Sequence, residues 1–243
     1  KINRAIDSVI QQTFTNWELI IIDNNSSDNT KEIVNNYNNK KISFYKIQNN
    51  GVIAKSRNFG IQKSNGIFLS FLDSDDWWDS KKLEFVYEES KKGYPFIYHN
   101  HFVYSPKRFI KKRKIYCKHF SKPIFSNLIK LGPSFATSSV SVNKSEFKKI
   151  QYFDDDKKYI AWEDFDAWLK LSMNVSNFQM IDKTLTTICL DETNFLNDKL
   201  KLININSFLN KYLSKTDEIP TWCLYNILVA KYNLGNYEQV KKN

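Results

Sequence analysis

Cysteine, glycine and proline are all scarce in this chain. Its three cysteines, Cys117, Cys189 and Cys223, are odd in number, far apart and in no C-x-x-C pairing. They indicate neither a disulfide framework nor a zinc site, and they fit a reducing cytosol. Six glycines and five prolines among 243 residues exclude a collagen-like or low-complexity chain. No apolar run approaches the length of a membrane span, and no secretory leader is recognisable. Aromatic side chains are plentiful, at 15% of residues. The length allows a substantial core in one domain, or in a domain with an appendage.

The formal net charge is +10, concentrated partly in Lys107, Arg108, Lys111, Lys112, Arg113 and Lys114. Such a cluster suits a solvated hairpin, an anionic membrane surface or nucleic acid. Phe109 and Tyr116 nearby suit a lipid interface, whereas no nucleic-acid-binding motif accompanies the charge. Nucleic acid therefore ranks last of the three.

Residues 67–78, IFLSFLDSDDWW, organise the chain. The apolar run following Gly66 has strand length and reads as a buried strand of a parallel sheet, with Asp73, Asp75 and Asp76 at its C-terminal end. That end is where open α/β sheets bind ligands. Three crowded acids repel one another unless a cation lies between them, and hard oxygen ligands suit Mg²⁺ or Mn²⁺ bridging carboxylates to phosphates. The competing reading is an acidic turn before the helix of residues 81–92, with Asp79 or Ser80 as N-cap.

Ile2, Ala5, Ile6, Val9 and Ile10 recur at helical spacing. A strand over residues 17–22, a turn and helix through Tyr37, a strand over 41–47 and a helix over 51–63 follow. In that last helix Ile53 and Phe59 are expected to face inward, with Arg57 available for an anion. This alternation predicts a mainly parallel sheet with helices on both faces, and acid-tipped strands ending at Asp23 and Asp73 on one edge. Residues 96–104 and 109–116 read as a hairpin, 123–131 as a short helix and 137–142 as a strand. His99 and His101 would share a face of that hairpin; with no third ligand nearby, packing is the better reading than metal binding. Asn143 with Glu146 resembles a capping box. In the helix around residues 161–169, Phe165, Trp168 and Leu169 face the core and leave Glu163 and Asp164 in the first turn. Acids are common there simply because the helix dipole favours them. Residues 178–181 and 184–190 read as closing strands. From about residue 194 the chain is helical, and residues 232–237 look like a single tetratricopeptide-type joint.

Three ordered segments, residues 5–30 (AIDSVIQQTFTNWELIIIDNNSSDNT), 49–78 (NNGVIAKSRNFGIQKSNGIFLSFLDSDDWW) and 153–172 (FDDDKKYIAWEDFDAWLKLS), resemble the family 2 glycosyltransferases, inverting enzymes of the GT-A fold. The likeness implies a GT-A domain over residues 1–193 and accessory helices over 194–243. By it, Asp23 and Asn24 would hold the nucleotide base and Arg57 would lie by the donor phosphates. Asp73 and Asp75 would form the D-x-D, with Asp75 the direct metal ligand and Asp76 adjacent. Asp164 would be the catalytic base, with Glu163 and Trp162 beside it on the acceptor side. The implied cofactors are Mn²⁺ or Mg²⁺ and a nucleotide-sugar donor, UDP-linked by the same likeness. The implied acceptor is a glycan or lipid-linked hydroxyl of bacterial lipooligosaccharide, O-antigen or capsule, met in the cytosol or at the inner face of the membrane.

The chain departs from the family in three places. The first strand, with its proline and aromatic residue before an asparagine, has no counterpart and is expected to precede Lys1. Asn24 stands where a second Asp is usual. No histidine follows the closing strands, around residues 188–193. Two alternatives remain beside the transferase: a sugar-nucleotide pyrophosphorylase, for which the glycine-rich loop is missing, and a non-catalytic glycan-binding scaffold.

Overall fold

The computed structural model describes residues 1–156, 161–190, 197–214 and 217–236. The chain opens with α1 (Ile2–Ile10), whose Ala5, Ile6 and Val9 are buried as their spacing requires. Then come β1 (Leu19–Asp23), α2 (Thr30–Asn36), β2 (Ile42–Lys46), α3 (Ile53–Lys63), β3 (Phe68–Ser70), β4 (Trp77–Trp78) and α4 (Lys82–Lys91). After Gly93 follow β5 (Phe96–Tyr104), β6 (Lys112–Ile115), α5 (Ile124–Leu131), a 3₁₀ turn (Thr137–Ser139), β7 (Val140–Asn143) and α6 (Lys144–Lys149). The chain continues through α7 (Glu163–Ser172), β8 (Phe178–Cys189), α8 (Asp198–Tyr212) and α9 (Thr221–Asn233).

β1 and β2 pair in parallel, from Leu19 opposite Ile42 to Asp23 opposite Lys46. The larger sheet runs β3-β7-β5-β8-β4, with β6 beside β5. β5 and β8 are parallel, and the remaining pairs in this sheet are antiparallel. The expected parallel set is thus present but interleaved: β3, β5 and β8 point one way, and β7 runs back between β3 and β5. The sequence places β7 after a long excursion through α5, so it enters from the opposite end of the sheet.

Alternation along β5 sets the two faces. Phe96 and Tyr98 enter a core with Leu128, Phe147 and Trp168, while Ile97 faces Val86, Ile181 and Leu185. Helices α5, α6 and α7 therefore cover one face and α4 the other, as one apolar residue in two demands. Phe96 stacks on Phe178 at 3.9 Å, and Trp168 meets Phe96 and Phe153 edge-on at 5.1 and 5.7 Å. The C-terminal helices join this core through Ile205, Phe208 and Cys223.

Several sequence expectations are corrected. β3 is only three residues long, and Ile67 and Ile53 are exposed rather than internal. Both line a cleft of about 1930 Å³ that also runs along β1 and β3. Among the described residues β1 pairs only with β2 and β3 only with β7, so each offers this cleft an unpaired edge. Residues 137–139 form a 3₁₀ turn before β7, not a strand. The closing strands are one strand, β8, with a bulge that shifts its pairing from Ile181 opposite His99 to Thr184 opposite Asn100. β6 begins at Lys112 rather than Phe109, because Ser105 N donates to Lys111 O and closes a longer loop. Asn143 does cap α6, accepting from Ser145 N at 2.9 Å and Glu146 N at 3.4 Å. His99 and His101 are buried. Burial pushes them down to about 3 and about 4, so they are neutral packing groups. Residues 191–196 and Tyr237 lie outside the described residues, and with them part of the expected metal-histidine position and of the tetratricopeptide-type joint.

Candidate active site

The cleft is lined by Asp23, Asn24, Arg57, Asp73, Asp75 and Asp76 together. Strand ends bring them there. β1 delivers Asp23, and the turn after β3 delivers the three acids.

Asp23 is buried, and its carboxylate accepts from Ser26 N at 3.1 Å, closing its own turn. The Asn24 side-chain carbonyl accepts from Asn49 N at 2.9 Å and so ties the β1 turn to the approach of α3. Both residues shape the cleft wall, with their oxygens already engaged by backbone amides.

Arg57 is the junction of the site. Its Nη2 donates to Asp73 Oδ1 at 3.0 Å, and its Nη1 donates to Glu163 Oε1 at 2.7 Å. Burial alone would depress the guanidinium, but the charges of Asp73, Glu163 and Asp164 outweigh it and hold Arg57 more firmly protonated. Burial, and then the neighbouring Asp164, push Glu163 up, and Arg57 opposes them. The sequence expected Arg57 at a phosphate; in the structure its fork is occupied by two carboxylates. It thereby joins the acids after β3 to those opening α7.

A second link runs through the 3₁₀ turn. Ser138 Oγ accepts from Asp73 N at 3.0 Å and donates to Asp76 Oδ2 at 2.6 Å. Thr137 Oγ1 donates to Asp164 Oδ2 at 2.7 Å, while Asp164 Oδ1 accepts from Phe165 N at 2.7 Å. Asp76 is buried and also accepts from Cys189 N at 2.8 Å. Burial raises it to about 7, against the pull of the Ser138 bond. It therefore acts as a tie between the acidic turn and β8, and only Asp73 and Asp75 stand at the rim. None of the three caps α4, whose N-cap is Lys81.

Arg4, Thr137 and Ser138 also belong to the site, although no sequence motif marks them. Arg4 Nη2 donates to Asp75 O at 2.6 Å, and the guanidinium carbon lies 3.6 Å over the Trp77 ring. Arg4 lies off the apolar stripe of α1, where a single cation gives no functional signal. The three consecutive hydroxyls of residues 137–139 carry no signal beyond a strand-like pattern.

α7 is held from behind by the C-terminal helices. Asp166 Oδ1 accepts from Lys211 Nζ and Tyr212 Oη, both at 2.6 Å. Lys170 Nζ sits 2.7 Å from Oδ2 as an ion pair rather than a well-angled hydrogen bond. Burial would raise this carboxyl, but Lys170, Lys211 and Tyr212 together hold it below its ordinary value. Trp162, which precedes α7, stacks on Trp222 of α9 at 5.8 Å and meets Phe208 of α8 at 6.0 Å.

The donor set suits a hard divalent ion. Asp73 is half exposed and bonds Arg57 through one oxygen, and Asp75 is partly exposed beside it. Among the described residues no three His, Cys, Asp or Glu side chains form a cage. Two rim carboxylates fit Mg²⁺ or Mn²⁺ when a phosphate supplies further oxygens.

The chain is similar to known proteins in sequence and, for a solved structure, in fold. Over 186 residues the chain is 28% identical to the Escherichia coli UDP-Glc:alpha-D-GlcNAc-diphosphoundecaprenol beta-1,3-glucosyltransferase WfaP, covering 73% of this chain and 68% of that one. It is 37% identical over 101 residues to WfgD of the same organism, a glucosyltransferase of the same description, covering 41% of this chain and 40% of WfgD. An uncharacterized glycosyltransferase of Rickettsia bellii is 29% identical over 87% of this chain, which spans only 31% of it. The chain therefore spans well under half the length of two of these relatives. The structure of S. aureus TarS 1-349 in complex with UDP-GlcNAc superposes with a TM-score of 0.66 at 18% identity, over 96% of this chain and 67% of that one. The fold is thus the GT-A type of that neighbour. The profile of glycosyl transferase family 2 matches residues 1–167, and the chain belongs to that family.

Proposed function

We propose that this chain carries the sugar-transfer centre of an inverting, metal-dependent glycosyltransferase. It would move a sugar from a UDP-sugar to a glycan or lipid-linked hydroxyl in the synthesis of a bacterial surface polysaccharide. The observation that carries the reading is the Arg57 fork, which bonds Asp73 of the D-x-D and Glu163, the neighbour of Asp164. The names of WfaP and WfgD, which use UDP-Glc and a diphosphoundecaprenol acceptor, support the donor and acceptor classes.

Asp75 and Asp73 would hold Mg²⁺ or Mn²⁺, which when bound offsets negative charge on the leaving diphosphate. The protein's own groups do the rest. Asp23 and Asn24, fixed by Ser26 and Asn49, form the wall against which a base can rest. Asp164 removes the acceptor proton as the hydroxyl attacks. Thr137 and the Phe165 amide each donate to one of its oxygens and so orient the carboxylate for that task. Glu163 keeps Arg57 charged, and Trp162 borders the acceptor side. The catalytic unit is residues 1–193, buttressed by the helices of 194–243. No helix among the described residues is long and apolar enough to cross a membrane.

The test is Asp164→Asn. Transfer to acceptor should fall by about three orders of magnitude or more, within the range of a lost general base and its charge, while UDP binding survives. Near-normal turnover would remove Asp164 from the role. Loss of the metal dependence of UDP binding in Asp75→Ala tests the metal assignment separately.

A further inference from the structure

The β5–β6 hairpin takes no part in the site just described, and its chemistry is unlike that of the rest of the surface. Between Glu89 and Glu146 the sequence contains no Asp or Glu. Within that tract strand pairing ends where Tyr104 faces Lys112, and the Ser105–Lys111 bond at 2.8 Å closes a projecting tip over residues 106–110. At the tip Phe109 is fully exposed and Ile110 is 70% exposed, with Tyr116 at 69% on the returning side. Lys107, Arg108, Lys111, Lys112, Arg113 and Lys114 flank them. Lys112 lies 4.1 Å over the Phe102 ring and Lys114 4.4 Å over that of Tyr116, so these two cations line one aromatic face of the ribbon.

A solvated hairpin explains the lysines but not two adjacent large apolar side chains at its apex. Single exposed apolar residues are ordinary; a pair at a tip, ringed by one sign of charge, is the composition of an interfacial anchor. We propose that this tip docks on an anionic phospholipid bilayer. Phe109 and Ile110 enter the boundary between head groups and acyl chains, and the flanking cations meet lipid phosphates. The placement is useful to the site. The ring of Tyr104, where the hairpin leaves the sheet, packs 5.7 Å from that of Trp77, two residues beyond Asp75. Tyr104 O also accepts from Leu190 N, immediately after β8. The hairpin thus projects from the sheet end that carries the acids, and a bilayer at its tip lies on the side of the cleft. That it serves a lipid-linked acceptor rests on the function proposed above; the docking itself does not.

The experiment is co-sedimentation of the full chain with vesicles of phosphatidylcholine alone or with phosphatidylglycerol added, with and without salt, and with a single-stranded oligonucleotide as competitor. Binding should require phosphatidylglycerol and fall with salt. Lys107→Gln with Lys111→Gln should weaken it about thirtyfold, from roughly 1 kcal/mol for each cation near the surface. Phe109→Ser with Ile110→Ser should weaken it while leaving UDP affinity unchanged, since the tip lies outside the cleft. Equal binding to neutral vesicles, undiminished binding by the double serine variant, or binding to the oligonucleotide in place of vesicles would each overturn the assignment. UDP binding and transfer to a soluble acceptor are read without vesicles, so the two proposals fail independently.

Discussion

Asp73 and Glu163 share one guanidinium: Arg57 holds the first at 3.0 Å and the second at 2.7 Å. Arg57→Met leaves Glu163 buried without its counter-charge. A loss of about 3 kcal/mol is expected, at the low end for a broken buried pair because Asp73 is half exposed. Arg57→Lys should recover only part of it, since an ammonium cannot present two parallel donors to two carboxylates. Urea denaturation of the three proteins measures this, and equal midpoints would show that the fork contributes nothing to stability.

Thr137→Val removes the hydroxyl that fixes Asp164 at nearly constant volume. Transfer should slow about tenfold, equivalent to one hydrogen bond to a charged group, while the dissociation constant for UDP stays the same. A change in UDP affinity with no change in turnover would assign Thr137 to the donor side instead.

Gly132→Ala should cost about 2 kcal/mol or more. The glycine ends α5 at φ +72°, and an added Cβ would stand 2.8 Å from the Trp222 ring. That ring has little room to yield, because its Nε1 donates to Ile129 O at 2.8 Å and its face stacks on Trp162. Thermal unfolding reads the effect, and Trp222→Leu in the same background should relieve part of it.

His99 and His101 make the fold acid-sensitive. Both are held neutral, at about 3 and about 4 against an ordinary 6.5. The unfolded chain binds these protons first as pH drops, so their contribution is complete above pH 6.5 and is lost progressively below it. At pH 5 each costs about 2 kcal/mol. Lys82, buried beside His99, adds to the penalty for charging it. Denaturation midpoints at pH 7 and pH 5 should converge in His99→Gln relative to the parent, and an unchanged gap would refute the account.

Local patterns were well legible in the sequence. The apolar spacing of α1, the strand runs of β1, β2 and β5, and the core stripe of α7 through Phe165, Trp168 and Leu169 all follow from periodicity. So did the cap at Asn143. What periodicity could not carry is strand order. β7 lies between β3 and β5 although it follows them in the chain, and no local pattern records that. The same holds within the site. The acids were visible as motifs, but nothing in residues 73–76 distinguishes the rim residue Asp75 from the buried Asp76. That difference comes from Ser138 and the Cys189 amide, contributed by distant elements. Arg57 was visible as a candidate anion binder, and its true neighbours appear only when α3, the acidic turn and α7 meet.

The grip of α8 and α9 on α7 has a kinetic consequence. The Asp166 carboxylate bound by Lys211 and Tyr212, with Trp162 stacked on Trp222, couples three helices through charge and ring contacts at once. Segments joined in this way open together rather than singly. Amide protons of α7 should therefore exchange with solvent only when the last helices lift, in one shared event. Loosening Trp222 would then be felt at Asp164, through Trp162 and Phe165.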